Sequence, residues 1–172
     1  PTLADSAPRH SQTQLLTIAH EVAQGINYLH NISISYYKKG IIPSNLHPQR
    51  IVFGVNNTPK IDGFCEPFLF YGEERHALLA YLFRREAAAP SLLYSSQHLY
   101  PPAIRQHHPF TKKYTLYLFG AMFYTLLAHA PFKGAMPLLD EVDSAIQPYW
   151  DTLVARTTGP QEECFTSFKQ CL

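Results

Sequence analysis

A mainly α-helical domain with one small β-hairpin is what this sequence predicts, and three observations predict it. Leu15, Ala19, Val22, Ala23, Ile26 and Leu29 recur at three- and four-residue spacing, which places them on one face of a long helix. Thr111 to Ala128 is apolar nearly all round, with Leu116, Leu118, Phe119, Met122, Phe123, Leu126 and Leu127, and a helix without a polar face belongs in the centre of a domain. Extended character is confined to Ile51-Val52-Phe53 and Pro59-Lys60-Ile61, which flank the turn-forming Val55-Asn56-Asn57-Thr58 and read as a hairpin.

The first helix is expected from about Ser11 to His30. Ser11 followed three residues later by Gln14 is a capping-box pattern that defines its start. Gly25 inside it lowers helix stability relative to alanine and is expected to permit close packing. From Gly63 to His108 the periodicity weakens, apart from a short helical pattern around Glu74 to Arg85, and Pro90, Pro101, Pro102 and Pro109 break regular structure. Asp140 to Ala155 offers a further helix through Val142, Ile146, Trp150 and Leu153, with Pro148 as a break or a start. Gln161 to Leu172 would set Cys164, Phe165, Phe168 and Leu172 on one helical face. The 172 residues fit one domain or a large piece of one, and both ends read as cut from something longer.

Composition excludes several function classes. With 46% hydrophobic and 16% charged residues the chain can bury a core. A net charge of +1, with basic pairs only at Lys38-Lys39, Arg84-Arg85 and Lys112-Lys113, leaves no electrostatic footprint for nucleic acid or an anionic membrane, and those pairs read as solvated surface. The longest apolar stretch, Tyr114 to Ala130, is interrupted by Thr115, Gly120, Thr125 and His129, so no membrane insertion is expected. Cys65, Cys164 and Cys171 are too few and too irregularly spaced for a disulfide framework or a zinc site, which points to a reducing, cytoplasmic compartment. The nine histidines show no H-E-x-x-H or carboxylate-spaced pair, so no metal site is expected and they read as scattered surface or helix-end residues. No G-x-S-x-G nucleophile motif or G-x-G-x-x-G phosphate loop occurs.

Short motifs occur in a telling order. Gly25-Ile26-Asn27-Tyr28-Leu29-His30 ends the first helix, Gly40-Ile41-Ile42 follows, then Leu46, Pro48 and Ile51-Val52-Phe53, then Lys60-Ile61-Asp62-Gly63-Phe64. Tyr100-Pro101-Pro102-Ala103 comes next, then Thr115 to Leu127, Pro131-Phe132, and Phe165 to Leu172. Together these resemble the larger, C-terminal lobe of the protein kinase superfamily. In turn they resemble its G-L-x-Y-L-H helix end, its D-L-K-P-x-N-I-L-L run, its K-I-x-D-F-G or shorter K-I-D-F-G segment and its D-V-Y-S-F-G-V-L-L-W-E-L-L helix, with Tyr100 to Ala103 standing where its A-P-E motif closes the activation segment. The resemblance covers almost the whole chain and implies that residues 1–172 form a kinase-like C-lobe, with the smaller lobe lying before Pro1.

The same resemblance implies that catalysis has been lost. The family's H-R-D-L-x-x-x-N loop supplies an Asp that orients and deprotonates the acceptor hydroxyl and an Asn that holds a metal. Pro43-Ser44-Asn45-Leu46-His47-Pro48-Gln49-Arg50 fills those eight positions. Pro43 replaces the His, and Ser44 removes the Arg that would clamp an activation-segment phosphate. Asn45 replaces the catalytic Asp with an amide that cannot take a proton near neutral pH. Arg50 replaces the metal-binding Asn, and a guanidinium repels a divalent cation. Asp62 stands where the family's metal-binding Asp stands, although Gly63-Phe64 reverses the next two residues, which implies a fixed rather than a switching segment. Either Arg50 pairs with Asp62 and takes the place of the metal's charge, or Asp62 caps the strand end and Arg50 points to solvent. Two structural anchors change as well: Thr115 stands for the buried Asp of the central helix, and Ala103 for the Glu of A-P-E. Tyr94, Ser95, Ser96 and Tyr100 read as ordinary loop hydroxyls without the Arg that would read their phosphates.

Three function classes follow: a scaffold or allosteric protein-interaction module without phosphotransfer, a pseudokinase switch that binds nucleotide, and an enzyme with rewired chemistry on this fold. The first is the principal expectation, with ATP binding lost or weakened, no catalytic residues and no cofactor. Its partners would be other proteins or other domains of the same chain. Tyr149 and Trp150 are candidates for an exposed aromatic anchor, with burial against the lobe the competing reading, and Tyr36-Tyr37-Lys38-Lys39 is a candidate protein contact.

Overall fold

A computed structural model describes residues 1–32, 41, 43, 46–62, 112–128, 143–158 and 165–171. These residues are mainly helical, with one two-stranded antiparallel sheet. Four α-helices are present among them: α1 (Leu3–Ser6), α2 (Gln12–Asn31), α3 (Lys112–Ala128) and α4 (Gln147–Thr158). The sheet pairs β1 (Ile51–Phe53) with β2 (Pro59–Ile61), in the register Ile51↔Ile61, Val52↔Lys60, Phe53↔Pro59.

Both N-terminal helices begin with a reciprocal capping box. Thr2 accepts from the Asp5 amide while Asp5 reaches back to the Thr2 amide, and Ser11 and Gln14 do the same for α2. Each box satisfies amides that the first helical turn leaves open and stabilises its helix by about 1 kcal/mol. Helix α2 buries Leu15, Ile18, Ala19, Val22, Ala23, Ile26 and His30. The stripe therefore ends on His30, with Leu29 only half-buried, because residues at i+4 from Val22 and Ile26 stay on one face. Among the described residues nothing packs closely on Gly25: a Cβ there would meet Ile61 Cδ1 at 3.7 Å, an ordinary contact.

The hairpin turns through Gly54 to Thr58. Gly54 N–H donates to Thr58 O and Asn57 N–H to Gly54 O, both at 3.0 Å. Asn57 has φ 57°, a left-handed conformation that asparagine tolerates better than most residues. The free side of β1 is covered by the N-terminal residues: Thr2 bridges to Val52, and Phe53 N–H donates to Pro1 O at 3.2 Å.

Helix α3 is the centre of the core. Thr115, Leu116, Leu118 to Tyr124 and Leu127 are buried along it. An aromatic series runs along the helix: Phe168 meets Phe119 edge-on at 5.2 Å, Phe119 meets Phe123 at 5.0 Å, and Phe123 meets Trp150 at 6.0 Å between centroids. Such tilted and T-shaped pairs contribute roughly 0.5–1.5 kcal/mol each beyond the area they bury. Trp150, Val154 and Thr157 form the buried face of α4. Its crossing with α3 is tight because Gly120 faces Thr157 and Thr158.

One helix expectation is narrowed and one is corrected. Within the described part of 140–155, residues 143–146 form a turn, and α4 starts at Gln147 with Pro148 in its first turn, where a missing amide hydrogen costs nothing. Near the C-terminal end the described residues form a 3-10 turn, Phe168–Cys171, instead of a longer α-helix. The reason is local: Phe165 N–H donates to Arg156 O at 2.7 Å and Thr166 N–H to the Gln170 side-chain oxygen at 2.6 Å, so these amides are engaged outside a helical ladder. The expectations for 63–108, including the short helix at 74–85, for Tyr36 to Lys39 and for Pro131-Phe132 lie outside the described residues.

Candidate functional site

The segment from Pro43 to Arg50 and the end of β2 at Asp62 form the candidate site. It is held by three supports. First, the chain returns to the end of α2, where Ile41 N–H donates to Leu29 O at 2.7 Å. Second, Pro43, Leu46 and His47 are buried, Leu46 within the main core, so this short stretch is anchored by apolar burial. Third, His47 opens a 3-10 turn over Pro48–Arg50: its Nδ1 accepts from Gln49 N–H at 3.3 Å, and its carbonyl accepts from Arg50 N–H at 2.8 Å. Helix α1 packs on that turn and on β1, so the N-terminal residues help position the site.

Arg50 and Asp62 are brought together. Asp62 N–H donates to Arg50 O at 2.7 Å, extending the ladder by one residue beyond the Ile51↔Ile61 pair. The two residues are therefore direct cross-strand neighbours, with Arg50 half-buried and Asp62 exposed. Opposite residues of an antiparallel pair set their Cβ atoms about 4.5–5.5 Å apart, within reach of an Arg–carboxylate contact. Ser44 and Asn45, and Gly63 and Phe64 after Asp62, lie outside the described residues, as does Ala103.

Thr115 on α3 is fully buried, and among the described residues its hydroxyl has no hydrogen-bond partner. One turn earlier on α3, Lys112 Nζ donates to His30 O at 2.7 Å. The ammonium thereby satisfies a carbonyl of the last turn of α2 and meets the negative end of its dipole. Lys112 and Lys113 are both exposed, as expected of surface residues, and Lys112 is in addition tied to α2. His30 itself is 4% exposed, its ring lies edge-on to Phe168 at 5.4 Å, and its Nε2 has no hydrogen-bond partner among the described residues. Burial, and secondarily the Lys112 charge, hold its pKa down at about 4, so the ring is neutral at ordinary pH. The sequence places His30 at the end of the first helix and among the scattered surface or helix-end histidines, without marking it as buried. The signal that would have found it is its i+4 position after Ile26.

Tyr149 and Trp150 part company: Trp150 is fully buried and Tyr149 is 65% exposed. Tyr149 stands at a half-open cleft of about 410 Å³ between α2, α4 and the C-terminal turn, floored by Leu16, Ala19, Ala23 and Phe119. None of the residues lining that cleft belongs to 43–50 or is Asp62. Cys171 lies beside it, its thiol pushed up to about 12 by burial, so it is not a nucleophile at neutral pH. Among the described residues no three His, Cys, Asp or Glu side chains gather where a metal would bind, and no helix is long and apolar enough to cross a membrane. The part of the site in view is thus suited to holding structure: a buried loop, a capped 3-10 turn and a cationic side chain beside a carboxylate. No protein-family model matches the chain, and no curated protein matches its sequence.

Proposed function

We propose that the chain is the helical lobe of a protein-kinase-like domain that has lost phosphotransfer and serves as a scaffold or allosteric protein-interaction module. The observation that carries this reading is the cross-strand adjacency of Arg50 and Asp62. At the position where the kinase mechanism needs a neutral metal ligand, a guanidinium-bearing residue stands directly across the ladder from the residue whose carboxylate would hold the metal. A fixed positive charge there disfavours a divalent cation and offers the carboxylate a partner that needs no nucleotide. The order of elements supports the same reading: a capped long helix, a buried loop, a hairpin and a central apolar helix. In this reading Asn45 cannot act as the general base, and the partner is another protein or another domain of the same chain.

A second reading, a nucleotide-binding switch without turnover, is favoured by Asp62 itself, an acidic side chain retained and exposed at the end of β2. Thermal-shift titration of the complete two-lobed protein with ATP, with and without magnesium, separates the two. The scaffold reading expects no shift in either series. A magnesium-dependent rise in melting temperature would replace it with the switch, and a phosphorylated or otherwise modified product in a sensitive transfer assay would overturn both.

A further inference from the structure

We draw no further inference here: the strongest candidate, the half-open apolar cleft between α2, α4 and the C-terminal turn with exposed Tyr149 at its edge, carries nothing because nothing in the structure shows what covers it.

Discussion

Replacing Gly120 with alanine tests the central helix crossing. An ideal Cβ on Gly120 would stand 2.8 Å from Thr157 Cβ and 2.9 Å from Thr158 Cγ2, and would press directly on Thr157 Oγ1. Comfortable carbon–carbon contact begins at about 3.5 Å. Neither threonine can turn aside freely, because Thr157 Oγ1 donates to Leu153 O at 2.7 Å and Thr158 Oγ1 to Val154 O at 2.8 Å. Helices α3 and α4 must therefore separate, in the same layer that holds Phe123 against Trp150. Overpacking of this kind costs roughly 1–3 kcal/mol, and the better helix propensity of alanine offsets about 1 kcal/mol of it. The expected net loss is up to about 2 kcal/mol, equivalent to a fall in melting temperature of up to about 8 °C for a chain of this size. Urea denaturation followed by far-UV circular dichroism measures it. Gly25→Ala is the control: among the described residues its Cβ meets Ile61 Cδ1 alone, at 3.7 Å, so helix propensity dominates and stability rises by about 0.5–1 kcal/mol. Adding Thr157→Ala to Gly120→Ala removes the closest atom and recovers part of the loss, with a coupling of at least about 0.5 kcal/mol. If Gly120→Ala stabilises the protein as Gly25→Ala does, the packing argument is refuted.

Other groups give further expected outcomes. His30 has a folded-state pKa of about 4 against an ordinary 6.5, so the stability tied to its neutral ring is complete above pH 6.5 and is lost as pH falls towards 4. The loss is on the order of 2–3 kcal/mol, and urea midpoints across that range should flatten in His30→Leu; an unchanged acid limb would refute the assignment. Lys112→Met removes the charge-assisted bond to His30 O, should cost about 0.5–1.5 kcal/mol, and should raise the His30 titration midpoint seen by NMR. No movement of that midpoint would contradict the electrostatic account. For the proposed Arg50–Asp62 pair, a double-mutant cycle with Arg50→Ala and Asp62→Ala should give a coupling of about 0.2–1 kcal/mol that shrinks in 1 M salt. Zero coupling at low salt would leave Arg50 without the role assigned to it.

Local patterns carried much of the fold. The Ser11–Gln14 box, the apolar stripe of α2, the hairpin turn at Asn56-Asn57 and the all-round apolar α3 are short-range features, written in residues a few positions apart. Helix α1 was missed although Thr2 and Asp5 form a capping box, because four residues are too few to display a period. The candidate site was legible as a set of positions, with Arg50 beside Asp62 as one of two readings; the choice between them was not legible, because it depends on how the loop re-enters the ladder after burying Leu46.

What the sequence by itself determined, then, was where helices start, which faces are apolar and where the chain turns, since caps, periodicity and turn residues act through neighbouring backbone. Only the tertiary structure decided which of two similar residues does which job. It put Trp150 inside and Tyr149 outside, made Gly120 and not Gly25 the site of close approach, and drew His30 into the core beneath Phe168. Those outcomes depend on what packs across the interface from a distant part of the chain, and a steric contact between Gly120 and Thr157 leaves no trace in the residues next to either.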